Sequence, residues 1–416
     1  MACLVAGALD WPPERLDDAN LRLFEHRRRG GGGEMDTAPL SLNAYQAGAT
    51  RTDRTRGKGS GLDLAVLGLF GEAGSLLSET KKKQRDARSY LGYEASVVEE
   101  MGDALWYLAV IADHAGLRLG ELAGGPLAGP DPTFAQLQPQ RALPLHVPTV
   151  AFEHTLLQLA GAVGRLAALA GRGDLAGNPD LAERLSAVFG LLVAAANEAG
   201  ITLEQAAARN LAKADDRWPA TRVAPPLFDE GFPVEERLPR SLTVDIFERT
   251  GGNDRRYVVQ RCNGIFIGDR LTDNIMTPDD YRFHDAFHYA YAAVIGWSPV
   301  TRALFRLKRK SEARVDEGQD GARAILIEEG VATFVFGEAK QLGFFEGQRP
   351  GDLGFAFLKA VRQFVRGYEA EACPLWLWEE AILAGNEAFR FLREKRRGRL
   401  RLDLVERRML VEDLPT

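Results

Sequence analysis

Five carboxylates stand in two neighbouring segments whose apolar spacing is otherwise typical of buried helices, GEAGSLLSETKKK (71–83) and EEMGDALWYL (99–108). Residues three or four apart lie on one face of a helix. Glu100 and Asp103 therefore point the same way, and so do Glu99 and Asp103. The spacing predicts a row of acids on one face of the second helix.

The first segment carries a matching row, because Glu72, Ser75 and Glu79 follow one another at helical spacing. If the two helices pair antiparallel, the two rows meet. Several carboxylates in one partly buried place repel each other unless a cation neutralises them. All-oxygen ligands select hard divalent ions, so we expect Mg²⁺ first and Mn²⁺ second.

Lysines follow at the end of the first helix, and Lys81 and Lys82 could contact phosphates that share the shell of a bound Mg²⁺. The competing interpretation is two amphipathic helices whose acids face solvent and pair with lysines. Glu72 argues against it, since it stands within LAVLGLFGEAGSLL (64–77), where no solvent-facing stripe is evident.

These segments belong to a long helical region, because apolar residues recur three and four apart from Leu40 to about Pro219. The chain of 416 residues has room for two or three domains. Pro- and Gly-rich stretches mark the connections. The predicted parts are a disordered Arg/Gly-rich extension (1–39), an acid-bearing helical copy (40–125), a linker (126–150), a degenerate second helical copy (151–222), a Pro-rich linker (223–239) and an α+β accessory domain (240–416).

The helical region repeats itself. Two stretches of the first part align with two of the second, GEAGS (71–75) with GAVGR (161–165) and AGLRLGELA (115–123) with AGITLEQAA (199–207). In this register Glu72 corresponds to Ala162, and Asp103 corresponds to Ala187. The second copy keeps the apolar pattern and loses most of the acids, which indicates a catalytic copy and a scaffolding copy.

Residues 40–123 resemble the all-α nucleoside triphosphate pyrophosphohydrolases of the MazG type. The matching elements are LNAYQ, GLFGEAGSLLSETKK and EEMGDALWYLAVIADHAGLRLGELA. The closing element of that family, Asn-Leu-x-Lys with Arg a few residues on, occurs only after the second copy, as NLAKADDRWP (210–219). The resemblance therefore spans both copies and implies an all-α bundle.

Carried over residue by residue, the resemblance implies that Glu72, Glu100 and Asp103 ligate Mg²⁺, with Glu99 beside them as the expected base. The other implied contacts have cationic or amide side chains. They are Lys81, Lys213 and Arg217 for the phosphates, and Asn43 and Gln46 near the base or sugar. The implied reaction is attack of a metal-activated water on a nucleoside triphosphate, giving the monophosphate and pyrophosphate.

The chain departs from the family motif, Glu-x-x-Glu followed by Glu-x-x-Asp, at Ser75, which stands where the family has its second Glu. Glu79, one turn further on, is the candidate substitute. The alternative function is a nucleotide-binding sensor or regulatory protein with weak or no turnover, whose C-terminal domain is a metal- or phosphate-binding effector. A third interpretation is an interaction protein in which both halves are structural.

Members of the family act as dimers whose sites are completed across an interface. A fused second copy would make that partner internal, as a pseudo-dimer within one chain. Two such chains could in addition form a homodimer.

The C-terminal region has a different pattern of residues. β-Forming residues flank turn dipeptides between residues 241 and 268, which predicts a small antiparallel hairpin or meander. After Pro278 helical spacing returns and continues to a basic tail near 393–401. The predicted fold is therefore mainly α, with an α+β C-terminal domain.

A second constellation lies in this domain, where His284 and His288 stand four apart with Asp285 between them, and Glu329 follows on a later helix. The spacing is that of His-Glu-x-x-His zinc sites. A peptidase is disfavoured because Asp285 replaces the Glu that serves as its base. A His-Asp phosphohydrolase is disfavoured because no additional histidine precedes the pair in this domain. The remaining interpretations are a second metal or phosphate site, and histidines bonded inside a helical core.

Composition limits the partners and the compartment. The net charge of −6 and the pI near 5.7 predict no strong binding to nucleic acid or to acidic lipid. Cys3, Cys262 and Cys373 are too scattered for a disulfide framework, and the apolar stretches look too short for a membrane span. We therefore predict a cytoplasmic protein.

Overall fold

The computed structural model of the protein describes residues 39–56, 61–123, 129, 131–138, 146–173, 175 and 177–414. The predicted N-terminal extension, up to residue 38, and much of the predicted 126–150 linker lie outside these residues. The chain divides into two compact units, and the division follows Asp215. Each unit is described separately below.

Helices build the first unit, as predicted from the apolar spacing. In chain order they are α1 (Leu42–Arg51), α2 (Gly61–Asp86), α3 (Tyr93–His114), α4 (Leu119–Leu122), α5 (Phe134–Leu137), α6 (Val150–Ala170), α7 (Leu181–Ala199) and α8 (Leu203–Arg217). Helix α2 packs against α3 and α6, and α6 also packs against α7. Their apolar faces form one continuous core.

Two glycines allow helices of this unit to approach closely. Gly68 on α2 faces the ring of Tyr107 on α3, and a Cβ at Gly68 would lie 2.2 Å from the ring carbon Cε1. Gly102 on α3 faces α8, and a Cβ there would lie 2.7 Å from the carbonyl oxygen of Ala206. Helix α3 is therefore in close contact with both α2 and α8.

Gln46 and Gln138 make matching hydrogen bonds in the two parts of the unit. The Oε1 atom of Gln46 accepts from the first backbone N–H of α4 at 2.8 Å, and its Nε2 donates to the carbonyl two residues earlier at 2.9 Å. Gln138 makes the same two bonds at the start of α8, at 2.6 and 3.3 Å. Ser41 and Thr133, which are the N-caps of α1 and α5, form an antiparallel bridge with each other.

One segment of the described chain, Gly61–Ser89, is long and apolar enough to cross a membrane by length and composition. By sequence the apolar run looks too short for a span, because Glu72 and the glycines interrupt it. The segment contains α2, which packs against α3 and α6 and presents Glu72 to the acids of α3. The structure therefore shows this segment packed inside a helical bundle.

The second unit contains a five-stranded antiparallel sheet in the order β3-β2-β1-β4-β5. The strands are β1 (Ser241–Thr250), β2 (Arg256–Cys262), β3 (Ile265–Leu271), β4 (Arg397–Asp403) and β5 (Arg408–Glu412). The first three form the predicted meander. The segment interpreted as a basic tail is β4, whose leucines 400 and 402 are buried while its arginines are exposed or half-buried.

Helices pack with this sheet in the second unit. They are α9 (Asp285–Ala290), α10 (Pro299–Phe305), α11 (Ala313–Gly318), α12 (Ala322–Gln341), α13 (Phe355–Phe364) and α14 (Leu375–Lys395). Helix α9 continues into a π-helical turn, Tyr291–Ile295, and contacts α14, α12 and the strands β4 and β5. Single π-turns of this kind are frequent at functional sites.

Candidate functional site

Three carboxylates of the first unit converge between α2 and α3. Glu72 on α2 and Glu100 and Asp103 on α3 each offer an oxygen, and these oxygens lie within 4.8 Å of one another. All three side chains are half-buried. We call this group the acid cluster. The helical spacing predicted the shared face on α3, and the packing of α2 against α3 brings Glu72 to it.

Electrostatics make the acid cluster unfavourable unless it is neutralised. Burial, a hydrogen bond with Glu100 and the charges of Asp103 and Glu100 raise the pKa of Glu72 to about 8. Burial and the charges of Asp103 and Glu99 raise the pKa of Glu100. Part of the cluster therefore retains a proton near neutral pH, a place that a divalent cation could take.

Helix α8 supplies two further groups. Asn210 donates from Nδ2 to Asp103 Oδ1 at 2.9 Å and accepts from the buried hydroxyl of Tyr45 at 3.1 Å. The ammonium group of Lys213 contacts Asp103 and lies 3.2 Å from Glu99 Oε1. Burial lowers the pKa of Lys213, but the charges of Asp103 and Glu99 outweigh that effect and raise it.

Glu79 lies outside the acid cluster. It is buried, and its carboxylate accepts from Lys82 Nζ at 2.5 Å and from the hydroxyl of Tyr90. The acid is therefore neutralised by its own neighbours, and its role as a substitute for Ser75 is not supported. Lys82 is engaged in the same pair, whereas Lys81 is exposed at the side of α2.

Three side chains that were expected to contact the nucleotide, those of Gln46, Asn43 and Arg217, make polar contacts within their own units. Gln46 is buried and bonded to backbone, as described above. Asn43 Oδ1 accepts from the backbone of Gly120 at 3.1 Å. Arg217 falls in the second unit, where it is buried and its guanidinium lies 3.6 Å from Glu379. These side chains therefore make contacts within the protein, and their roles as nucleotide contacts stay predictions.

Sequence reasoning missed two contributors to the acid cluster. Asn210 was quoted only as part of the closing Asn-Leu-x-Lys element, although its separation of three residues from Lys213 puts both on one helical face. Tyr45 was not singled out because a tyrosine in an apolar helix is usually a core residue. Only the approach of α8 to α3 shows that both surround Asp103.

The second unit brings together the other predicted residues. His284, Asp285 and His288 each offer a ligand atom, and these atoms lie within 4.8 Å of one another. Glu329 Oε2 lies 3.7 Å from His284 Nε2 and 3.5 Å from His288 Nε2. The neighbouring Glu328 accepts from His288 Nδ1 at 2.8 Å.

Comparison with known proteins places the second unit in a family. Residues 223–415 match the family model of the MazG C-terminal domain. The gene 37 protein of Mycobacterium phage L5 is 32% identical over 82 residues, which make up 18% of this chain and 72% of the phage protein. No solved structure matches the chain.

Proposed function

We propose that the first unit is a Mg²⁺-dependent nucleoside triphosphate pyrophosphohydrolase, and the match of residues 223–415 to the MazG C-terminal domain supports this assignment. The products would be the nucleoside monophosphate and pyrophosphate. The observation that carries the proposal is the convergence of Glu72, Glu100 and Asp103 between two packed helices.

The acid cluster fits a hard cation, since its donors are all oxygens and its raised pKa values reflect like charges in a partly buried place. Glu72, Glu100 and Asp103 would hold Mg²⁺, and Mn²⁺ as an alternative. When bound, the ion would supply Lewis acidity to a water molecule and to phosphate oxygens.

The side chains around the cluster have separate roles in the proposal. Lys213 neutralises Asp103 and Glu99 and would turn towards a phosphate when a cation takes over that charge. Asn210 orients Asp103 through its hydrogen bond, and the hydroxyl of Tyr45 holds Asn210 in turn. Glu99, about one-third exposed beside Lys213, is the candidate base that accepts a proton from the attacking water.

An internal duplication explains why α8 completes the site. The paired bonds of Gln46 and Gln138 and the bridge between Ser41 and Thr133 are what a pseudo-twofold relation between the two helical copies would produce. In this proposal α2 and α3 belong to the first copy and α8 to the second. The second copy would then act as the partner subunit of a dimeric family member.

A nucleotide sensor without turnover is the second candidate. It is favoured by Ser75, which offers no carboxylate on α2, and by the ion pairs of Lys213 with Asp103 and Glu99, which already neutralise part of the cluster. A sensor would be stabilised thermally by a nucleoside triphosphate and would leave it intact. Ser75→Glu should then raise Mg²⁺ affinity and restore turnover.

The test is turnover of the full chain against the common nucleoside triphosphates with Mg²⁺, with products separated by chromatography. Glu100→Gln and Asp103→Asn should each lower kcat/KM by at least about 100-fold. Glu183→Gln, which removes an exposed acid from α7, is the matched control and should keep full activity. Release of orthophosphate in place of pyrophosphate, or unchanged activity in both cluster variants, would refute the proposed reaction.

A further inference from the structure

His288 on α9 is held in one orientation by buried partners. The residue is 1% exposed, and Nδ1 lies 2.8 Å from Glu328 Oε1. Glu328 is fully buried and is itself fixed by the hydroxyl of Ser298 at 2.6 Å and the backbone N–H of Val300 at 2.8 Å. Because the carboxylate can only accept, the Nδ1 atom of His288 carries a proton.

His284 is held in the same way, immediately before α9. Its Nδ1 atom lies 2.8 Å from the carbonyl oxygen of Tyr281, and its ring stacks on the Tyr281 ring at a centroid distance of 4.2 Å. A carbonyl oxygen cannot donate, so Nδ1 again carries the proton. Both histidines therefore present Nε2 as the remaining ring nitrogen.

The two Nε2 atoms face the same carboxylate, that of Glu329. Glu329 Oε2 lies 3.7 Å from His284 Nε2 and 3.5 Å from His288 Nε2, and Asp285 Oδ1 lies 3.3 Å from His284 Nε2. The buried Nε2 of His288 has no hydrogen-bond partner among the described residues. Neutral imidazoles would thus point lone pairs at carboxylate oxygens, which is unfavourable unless a cation lies between them.

We propose that His284, His288 and Glu329, with Asp285 beside them, bind a divalent first-row transition-metal ion in the second unit, with Zn²⁺ as the first choice. Two imidazole nitrogens and carboxylate oxygens are a donor set of that class and not of Mg²⁺. The protons on Nδ1, bonded to Glu328 and to the Tyr281 carbonyl, are the outer contacts that metal-binding histidines normally have.

The exposure of Glu329 and the hydrogen bond of Asp285 limit the chemistry that is possible at this site. The Glu329 side chain is 39% exposed, so the ligands open towards solvent and leave room for a water or an anionic ligand on the ion. Asp285 Oδ2 accepts from the amide of Gln260. The acid at the position of a peptidase base is thereby held as a positioning or ligand group, which argues against peptide hydrolysis.

Metal analysis of the full chain, purified under metal-replete conditions without chelator, tests the proposal. We expect about one transition-metal ion per chain by mass spectrometry of the elements. Glu329→Gln keeps the volume of a half-exposed side chain, so it should fold and lose most of this metal, and His284→Ala should do the same. His154→Ala, which changes an exposed histidine of the first unit, is the control and should keep the metal.

Replacement by Co²⁺ gives an independent reading, since histidine and carboxylate ligation produces visible absorption bands that should vanish in Glu329→Gln. Glu72→Gln separates the two proposals, because it removes a ligand of the acid cluster and should leave the transition metal in place. Metal-free wild type, or variants at His284 and Glu329 that keep full metal content, would overturn the proposal and identify the histidines as imidazolium ions paired with Glu328 and Glu329.

Discussion

The charge state of Glu72 affects the stability of the first unit. Its pKa is raised to about 8 by burial, by Glu100 and by Asp103, whereas an unfolded chain has the ordinary glutamate value. The folded state therefore binds more protons than the unfolded state between these two values. Stability that is present at low pH is lost as pH rises towards the folded pKa.

Glu72→Gln should remove this pH dependence. In EDTA, wild-type protein should lose unfolding free energy between about pH 5 and pH 8, and the variant should lose less, so that the two differ most above pH 8. Denaturant unfolding at several pH values, with the acid cluster free of metal, measures this pH dependence of the unfolding free energy. Identical pH profiles would mean that Glu72 is not strained by its neighbours. Added Mg²⁺ should stabilise wild type more than the variant.

Lys213 should have opposite effects on binding of the ion and on turnover. Lys213→Met removes the cation beside Asp103 and Glu99, so the cluster becomes more negative and Mg²⁺ affinity should rise. If the ammonium also contacts phosphate, kcat/KM should fall roughly 100-fold. Calorimetric titration measures the Mg²⁺ affinity, and steady-state kinetics measure kcat/KM. Weaker Mg²⁺ binding in the variant would contradict this account of the lysine.

At the scale of elements, the contact between α3 and α8 positions Asn210 and Lys213. A methyl group at Gly102 would lie 2.7 Å from the Ala206 carbonyl oxygen and 3.1 Å from Asn210 Cβ, so α8 would have to shift. Backbone atoms cannot rotate away as a side chain can. The helix contact at Gly102 is therefore a requirement of the site as well as of packing.

Gly102→Ala should lower the unfolding free energy by about 1–3 kcal/mol and reduce kcat/KM by up to about 100-fold, because small displacements of positioned groups are costly. Gly74→Ala is the matched control, since Gly74 lies on α2 with open space around it. That change should be neutral or stabilise by about 0.5–1 kcal/mol. Equal losses in both variants would show that the effect does not come from the α3–α8 contact.

At the scale of the whole molecule, the two units should respond to different ions. Hydrogen exchange of the full chain, read peptide by peptide, can follow both at once. Mg²⁺ should slow exchange in peptides from 61–114 and 203–215, and removal of transition metal should accelerate exchange in peptides from 281–341. Protection by Mg²⁺ that is confined to the second unit would contradict both site assignments.

Local periodicity predicted much of this protein. The spacing of Glu100 and Asp103 put them on one face of α3, and the spacing of His284 and His288 did the same in the second unit. β-Forming residues on both sides of turn dipeptides predicted the meander of β1 to β3. The arginines and leucines of β4 alternate as in a strand, but this run of charge at the end of a long helix was interpreted as a tail.

Long-range contacts were decided only by tertiary structure. Lys213 meets Asp103, and Glu328 meets His288, because α8 packs on α3 and α12 packs on α9. Gln46 and Arg217 have polar side chains that suit a nucleotide, yet each satisfies backbone or buried acid within its own unit. Spacing along a helix specifies which residues share a face. Which faces meet depends on the packing of elements far apart in the chain, and a single sequence does not encode that locally.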